Sequence, residues 1–270
     1  MSQAEAIRID IPGADPVSGL WQAPAGAKAA LVLAHGAGAG MTHKAMAATA
    51  DGLAERGVAT LRYQFPYMEK GGKRVDAPPV AHAAVRAAVA EGRKRAGALP
   101  LFADGRSFGG RMTSQAQALA PLEGVRGLVF FAFPLHPAGK PSVDRAPHLA
   151  DVAVPMLFLQ GTKDTLAELD LLEGVVARLG ERATLVLAED ADHSFHVPAR
   201  TGRTSPRSGS PRPPAGRSRG RSPCDARTCC QAGRSTPTRQ HPEPEPPCAG
   251  RPPRRRVRRR AAAAGCGGEP

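Results

Sequence analysis

The first 200 residues contain no cysteine. A disulfide framework and a thiolate metal site are therefore excluded from them. No apolar run approaches the roughly 18 residues of a membrane span; GLVFF, starting at Gly127, is among the longest. The opening MSQAEAIRID has no basic stretch followed by an apolar one, so no secretory signal is predicted and a cytoplasmic location is expected. Residues 201–270 lack more. They hold no Leu, Ile, Met, Phe, Tyr, Trp or Lys, and Val257 is their only branched aliphatic residue. Against four acids they carry sixteen arginines, which makes +12 of the formal +13 of the 270-residue chain. Thirteen of the 27 prolines and all five cysteines also fall there. Such a segment cannot bury enough apolar surface to offset its ordering entropy, and it is predicted to be disordered. The basic character thus belongs to the tail, and a basic nucleic-acid-binding domain is disfavoured.

What remains is a near-neutral stretch long enough for a sizeable core. Residues 5–11 alternate polar and apolar, as a half-buried strand does, and 18–24 reads as a hairpin partner after Pro12, Gly13 and Pro16. Six short apolar runs follow, at 30–35, 58–63, 99–104, 127–133, 155–161 and 183–189. Runs of this kind suit strands covered on both faces. Helix-like stretches lie near 43–56, 77–96, 108–120 and 166–179. The alternation predicts an α/β fold in three layers, with a mostly parallel sheet of about eight strands and an antiparallel pair at one edge. Four prolines between Phe133 and Val154 leave room for a short helix and not for a large cap domain.

Chemistry enters at LPLFADGRSFGGRM. A strand turns into a helix at Gly105-Arg106-Ser107-Phe108-Gly109, the G-x-S-x-G of a nucleophile elbow. In so tight a turn a Cβ at the flanking positions would strike its neighbours. The serine is left at the carboxyl end of the sheet, before a helix N-terminus that favours developing negative charge. A serine hydroxyl needs a base and a group to orient that base. In this architecture the partners follow in the order Ser, Asp, His at later strand ends. Asp164, in FLQGTKD, and His193, in EDADHSF, occupy those places.

Ser107, Asp164 and His193 are therefore the predicted catalytic residues. Asp170 is expected about two turns into a helix, and Asp190 and Asp192 read as solvated loop residues. His196 is the alternative base. His43, His82, His136 and His148 lack a strand-end position and read as surface or capping residues, and Ser114 reads as structural within a helix. Two backbone N–H groups are expected to form the oxyanion hole, one from Phe108 and one from Ala37 in the loop His35-Gly36-Ala37-Gly38. A glycine-rich loop after a strand can instead cradle phosphate, but neither the dinucleotide nor the Walker spacing occurs there. No cofactor and no metal are expected.

The segments LVLAHGAGAGMTH, RYQFPYMEKGG, GRSFGGRM, FFAFPLHPAGKP, FLQGTKD and DADHSFHVP resemble the α/β-hydrolase superfamily. More narrowly they resemble its small, cap-less, dienelactone-hydrolase-like branch, which also includes the hydrolase-like domain of a subunit of the NSL histone-acetyltransferase complex. The resemblance covers about residues 5–203. It implies an eight-stranded sheet and hydrolysis of an ester or similar acyl bond of a small substrate. It also implies that the loops at 62–68 and 133–141 flank the pocket, with His35, Gly36, Arg62, Phe65, Arg106 and Lys140 lining it. Arg62 and Lys140 are candidates for contact with an anionic substrate, or else for a structural ion pair and a solvated loop. Because some relatives act as protein-interaction domains, a catalytically weak interaction domain is the competing reading.

The resemblance stops near Thr204, where a helix packing on the sheet would follow. The expected division is a hydrolase domain over 1–203 and an Arg/Pro-rich tail over 204–270. We read the tail as the out-of-frame translation of a GC-rich gene, a hypothesis that resequencing the locus decides. An in-frame reading without a downstream amphipathic helix would sink it. Loss of that helix is expected to expose part of one sheet face. The arginines, RRRVRRR among them, are expected to bind nucleic acid only non-specifically and salt-dependently. The cysteines 224, 229, 230, 248 and 266 lack zinc-site spacing.

Overall fold

In the computed structural model the described residues are 2–198, so the readings made for the tail lie outside them. Eight strands form one sheet. They are β1 (Glu5–Ile9), β2 (Val17–Gln22), β3 (Ala29–Ala34), β4 (Val58–Tyr63), β5 (Leu101–Arg106), β6 (Val125–Phe131), β7 (Met156–Gly161) and β8 (Ala183–Ala188). Their spatial order is β1-β2-β4-β3-β5-β6-β7-β8. β1 pairs antiparallel with β2, and β2 antiparallel with β4; every other pairing is parallel. The three-layer α/β architecture expected from the sequence is the one observed.

The helices are α1 (Lys44–Ala54), α2 (Pro66–Glu69), α3 (Pro78–Ala96), α4 (Phe108–Leu119) and α5 (Leu169–Leu179), with a 3-10 helix at Pro147–Asp151. Their ends follow local chemistry. Prolines sit in the first turn of α3, where an N–H has no acceptor anyway. Arg93, Lys94 and Arg95 close it against the negative end of the helix dipole. Gly97 and Gly180, at φ +58° and +61°, terminate α3 and α5 in a conformation that favours glycine. Two expectations are corrected. The stretch 62–68, expected as a loop, runs into α2, whose four residues are too few to show a period. α5 begins at Leu169 rather than 166, so Asp170 lies in its first turn.

Side-chain alternation divides the sheet into two faces. Val32, Ala34, Leu61, Ala103, Phe130 and Phe158 belong to the main core, to which α3, α4 and α5 contribute Val85, Met112 and Leu172. The opposite face differs. Leu31 and Leu33 are buried there, with Met46 and Ala50 of α1 also buried outside the main core. Further along the same face Val129, Phe131, Leu157 and Leu159 are only half-buried, and Val186 of β8 is 41% exposed. Among the described residues no helix covers that half of the sheet.

Candidate active site

The elbow between β5 and α4 carries the most constrained backbone of the site. Ser107 sits at φ +50°, ψ −112°, a conformation that L-residues other than glycine rarely adopt. Three glycines permit it. A Cβ on Gly109 would stand 2.6 Å from the His35 carbonyl oxygen, and one on Gly110 2.6 Å from that of Gly105. A Cβ on Gly105 would collide with the Gly110 backbone. The Ser107 N–H donates to the Phe131 carbonyl (3.0 Å), and the Ser107 carbonyl accepts the Arg111 N–H (3.1 Å), so strand and helix grip the turn from both sides.

Ser107 Oγ lies 2.9 Å from His193 Nε2, and His193 Nδ1 lies 2.7 Å from Asp164 Oδ2. The structure thus brings together three residues spread over 86 positions. The Asp164 carboxyl is held from two further directions: Leu166 N–H donates to Oδ1 (2.8 Å), and Gln160 Nε2 donates to Oδ2 (2.5 Å). The Oε1 of Gln160 in turn accepts the Phe133 N–H (2.9 Å), which ties Asp164 to the turn after β6, where Ala132 is at φ +56°. Gln160 is buried and was not singled out from the sequence. A polar residue in an otherwise apolar strand, just before Gly161, was the available signal.

The loop bearing His193 is built around Asp192, whose Oδ1 accepts the N–H groups of Ser194 (2.7 Å) and His196 (2.9 Å). Asp192 is therefore a turn-forming acceptor rather than a solvated residue. The His196 side chain is exposed, and its backbone closes the turn. Arg106 reaches this loop from the elbow, its Nη2 donating to the His193 carbonyl at 3.4 Å. Burial lowers the pKa of its guanidinium, and the nearby Asp192 and Asp164 oppose that shift.

The loop after β3 is pinned just as closely. His35 is buried, and burial lowers its pKa. Its Nε2 accepts the Phe65 N–H (3.0 Å), so Nδ1 carries the proton and donates to the Gly36 carbonyl (2.7 Å). Tyr67 Oη donates to the Ala37 carbonyl (2.9 Å). Since a trans peptide sets C=O and N–H in opposite directions, fixing the Gly36 carbonyl also fixes the aim of the Ala37 N–H. Phe65 packs edge-on to His35 (5.0 Å) and Phe108 (5.2 Å), and so joins this loop to the first turn of α4.

One residue expected at the pocket is not brought there. Arg62 is buried on the α1 face, bonded to Gln22 Oε1 (3.2 Å) and the Met41 carbonyl (3.4 Å). Strand alternation sends it to the side opposite Leu61. Lys140 is exposed in the turn after Pro137. The other histidines hold structure: His43 caps α1 through Ala45 N–H, and His136 Nε2 accepts the Glu168 N–H.

Residues 27–209 match the family described as Alpha/beta hydrolase domain. The chain belongs to that family. Solved structures share its fold. A Coxiella burnetii α/β serine hydrolase homologue superposes with a TM-score of 0.61 at 20% identity, covering 73% of this chain and 92% of its own. A lid-less α/β serine hydrolase from Xanthomonas campestris gives 0.59 at 24%, covering 73% and 88%. A dienelactone hydrolase from Anabaena variabilis gives 0.61 at 22%, covering 73% and 91%. No helix among the described residues is long and apolar enough to cross a membrane.

Proposed function

We propose that this α/β-hydrolase domain hydrolyses an ester or related acyl bond of a small substrate through a covalent acyl-enzyme. The observation that carries the reading is the continuous chain Ser107 Oγ, His193 Nε2, His193 Nδ1, Asp164 Oδ2, with contacts of 2.9 and 2.7 Å. Asp164 accepts a hydrogen bond from the His193 Nδ1–H and so selects the tautomer whose Nε2 lone pair faces Ser107. In acylation the Ser107 proton passes to Nε2 as Oγ bonds to the carbonyl carbon. The N–H groups of Phe108 and Ala37 are assigned to the oxyanion. Nε2 then returns the proton to the departing alkoxide. Water repeats the sequence, giving its proton to Nε2 and releasing the acid and Ser107.

Turnover of p-nitrophenyl acetate or butyrate by wild type and Ser107→Ala tests the proposal. Loss of turnover is expected in the variant, and equal rates overturn the assignment. Fluorophosphonate labelling at Ser107 separates an active hydrolase from an interaction domain that keeps the fold. A folded wild-type protein that takes no label favours the interaction domain.

A further inference from the structure

The outer side of α4 gathers positive charge one turn beyond Ser107. Ser114 and Gln115 of α4 bond His148 of the segment after β6 and His82 of α3, and Arg111, Arg86 and Arg145 are carried on the same three elements. His148 Nε2 is 2.8 Å from Ser114 Oγ, and His82 Nε2 is 3.2 Å from Gln115 Oε1, so both imidazoles are fixed against the helix. Arg86 is engaged by the carbonyls of Ala116 (2.5 Å) and Ala120 (3.0 Å).

Arg111 and Arg145 are different. Among the described residues neither side chain makes a hydrogen bond or ion pair, both residues are half-buried, and the Arg111 Nε is shielded from solvent with no acceptor. They are close enough for the charge of Arg145 to disfavour that of Arg111, whose charge in turn disfavours protonation of His148. Asp151 acts on His148 from the 3-10 helix, and Asp144 beside Arg145 is exposed.

Half-buried guanidinium groups usually face a carboxylate, because removing the charge from water without a partner is costly. Two near each other without one leave forked donors open to an anion from outside. We propose that Arg111 and Arg145 form a phosphate-binding site, for free phosphate or the phosphate group of a small ligand. A pair of guanidinium groups matches the two charges of a dianion better than the single charge of a monocarboxylate. Arg145 lies in the segment after β6 and Arg111 in the first turns of α4, so a bound phosphate would clamp that segment to the helix that begins at the elbow. The site shares no side chain with the proposed triad, and either reading survives failure of the other.

The test uses the full chain labelled with ¹⁵N-arginine. Its Arg111 and Arg145 Nε–H signals are assigned by their loss in Arg111→Gln and Arg145→Gln. Titration with inorganic phosphate should shift both signals saturably, with the same midpoint, while acetate leaves them near their starting positions. Reporting at these two side chains keeps the tail arginines out of the reading. Each substitution should raise the midpoint at the remaining arginine at least about tenfold, the loss of one charge-assisted hydrogen bond. The melting temperature should stay unchanged or rise, since a like-charge contact is relieved. A parallel titration with phenyl phosphate distinguishes a free ion from a phosphate group on a ligand, according to which binds tighter. No saturable shift with either phosphate, equal shifts with acetate, or a midpoint indifferent to either substitution overturns the site.

Discussion

Two serine–histidine pairs lie seven residues apart on one helix. Ser107 and His193 meet at 2.9 Å, and Ser114 and His148 at 2.8 Å. Distance does not separate them; surroundings do. Ser107 stands before the first turn of α4 in a left-handed backbone conformation, half-exposed, with a histidine oriented by a carboxylate. Ser114 is buried two turns along, donates to the Arg111 carbonyl at 3.0 Å, and faces a histidine whose strongest neighbour is a cation. Burial and the Arg111 charge lower the His148 pKa to about 4, so it remains neutral where a general base would have to take up a proton. A hydroxyl beside an imidazole becomes a nucleophile only with a third group and an open side.

The largest expected effect breaks the first pair. Ser107→Ala should lower ester turnover by about a thousandfold or more, and Asp164→Asn, which removes the tautomer-selecting acceptor, by a comparable factor; steady-state kinetics read both. Next comes Asp104, three residues before Ser107. It is fully buried, with neither carboxylate oxygen bonded, and burial raises its pKa well above the carboxylate range. Its contribution to stability is present at acidic pH and is lost as pH rises, because the unfolded chain releases a proton that the fold retains. Asp104→Asn should therefore melt higher than wild type at pH 8 and show little difference near pH 4. Calorimetry at the two pH values checks this.

Ser107→Gly should abolish labelling yet stabilise the fold by about 1 kcal/mol, because glycine adopts the elbow conformation without strain. A lower melting temperature than wild type would contradict that. His148 carries a pH effect of opposite sign to Asp104. With its pKa lowered from 6.5 to about 4, its contribution is present above pH 6.5 and declines as pH falls toward 4. Replacing His148 with Gln should flatten the acid side of the stability profile. The smallest effect sharpens the contrast: Ser114→Ala should leave fluorophosphonate labelling at the wild-type rate, and a large loss would mean that the second pair does more than brace the helix.

Much of this was legible in the chain because it depends on local pattern. The eight strands show as short apolar runs, and the elbow shows as glycines around a serine where a run gives way to a helix. Asp164 and His193 were found by their place after later strands, which order along the chain reveals. Residues whose role depends on a sheet face or a distant partner were less legible. Arg62 alternates with Leu61 along β4, and only the position of α1 shows that its side is sealed from Ser107. Gln160 reads as one polar residue in an apolar strand, and its part in holding Asp164 appears only with Phe133 beside it.

The sequence by itself determined the fold class, the family and the three residues proposed for chemistry, since periodicity, turn residues and order along the chain are local properties. It also located the change of composition after residue 200. Tertiary structure alone decided which of two adjacent serine–histidine contacts has a carboxylate behind it, and which arginines stand without one. Those properties arise from side chains far apart in sequence whose proximity only packing sets. Desolvation, which raises the pKa of Asp104 and lowers that of His148, is set by the same packing.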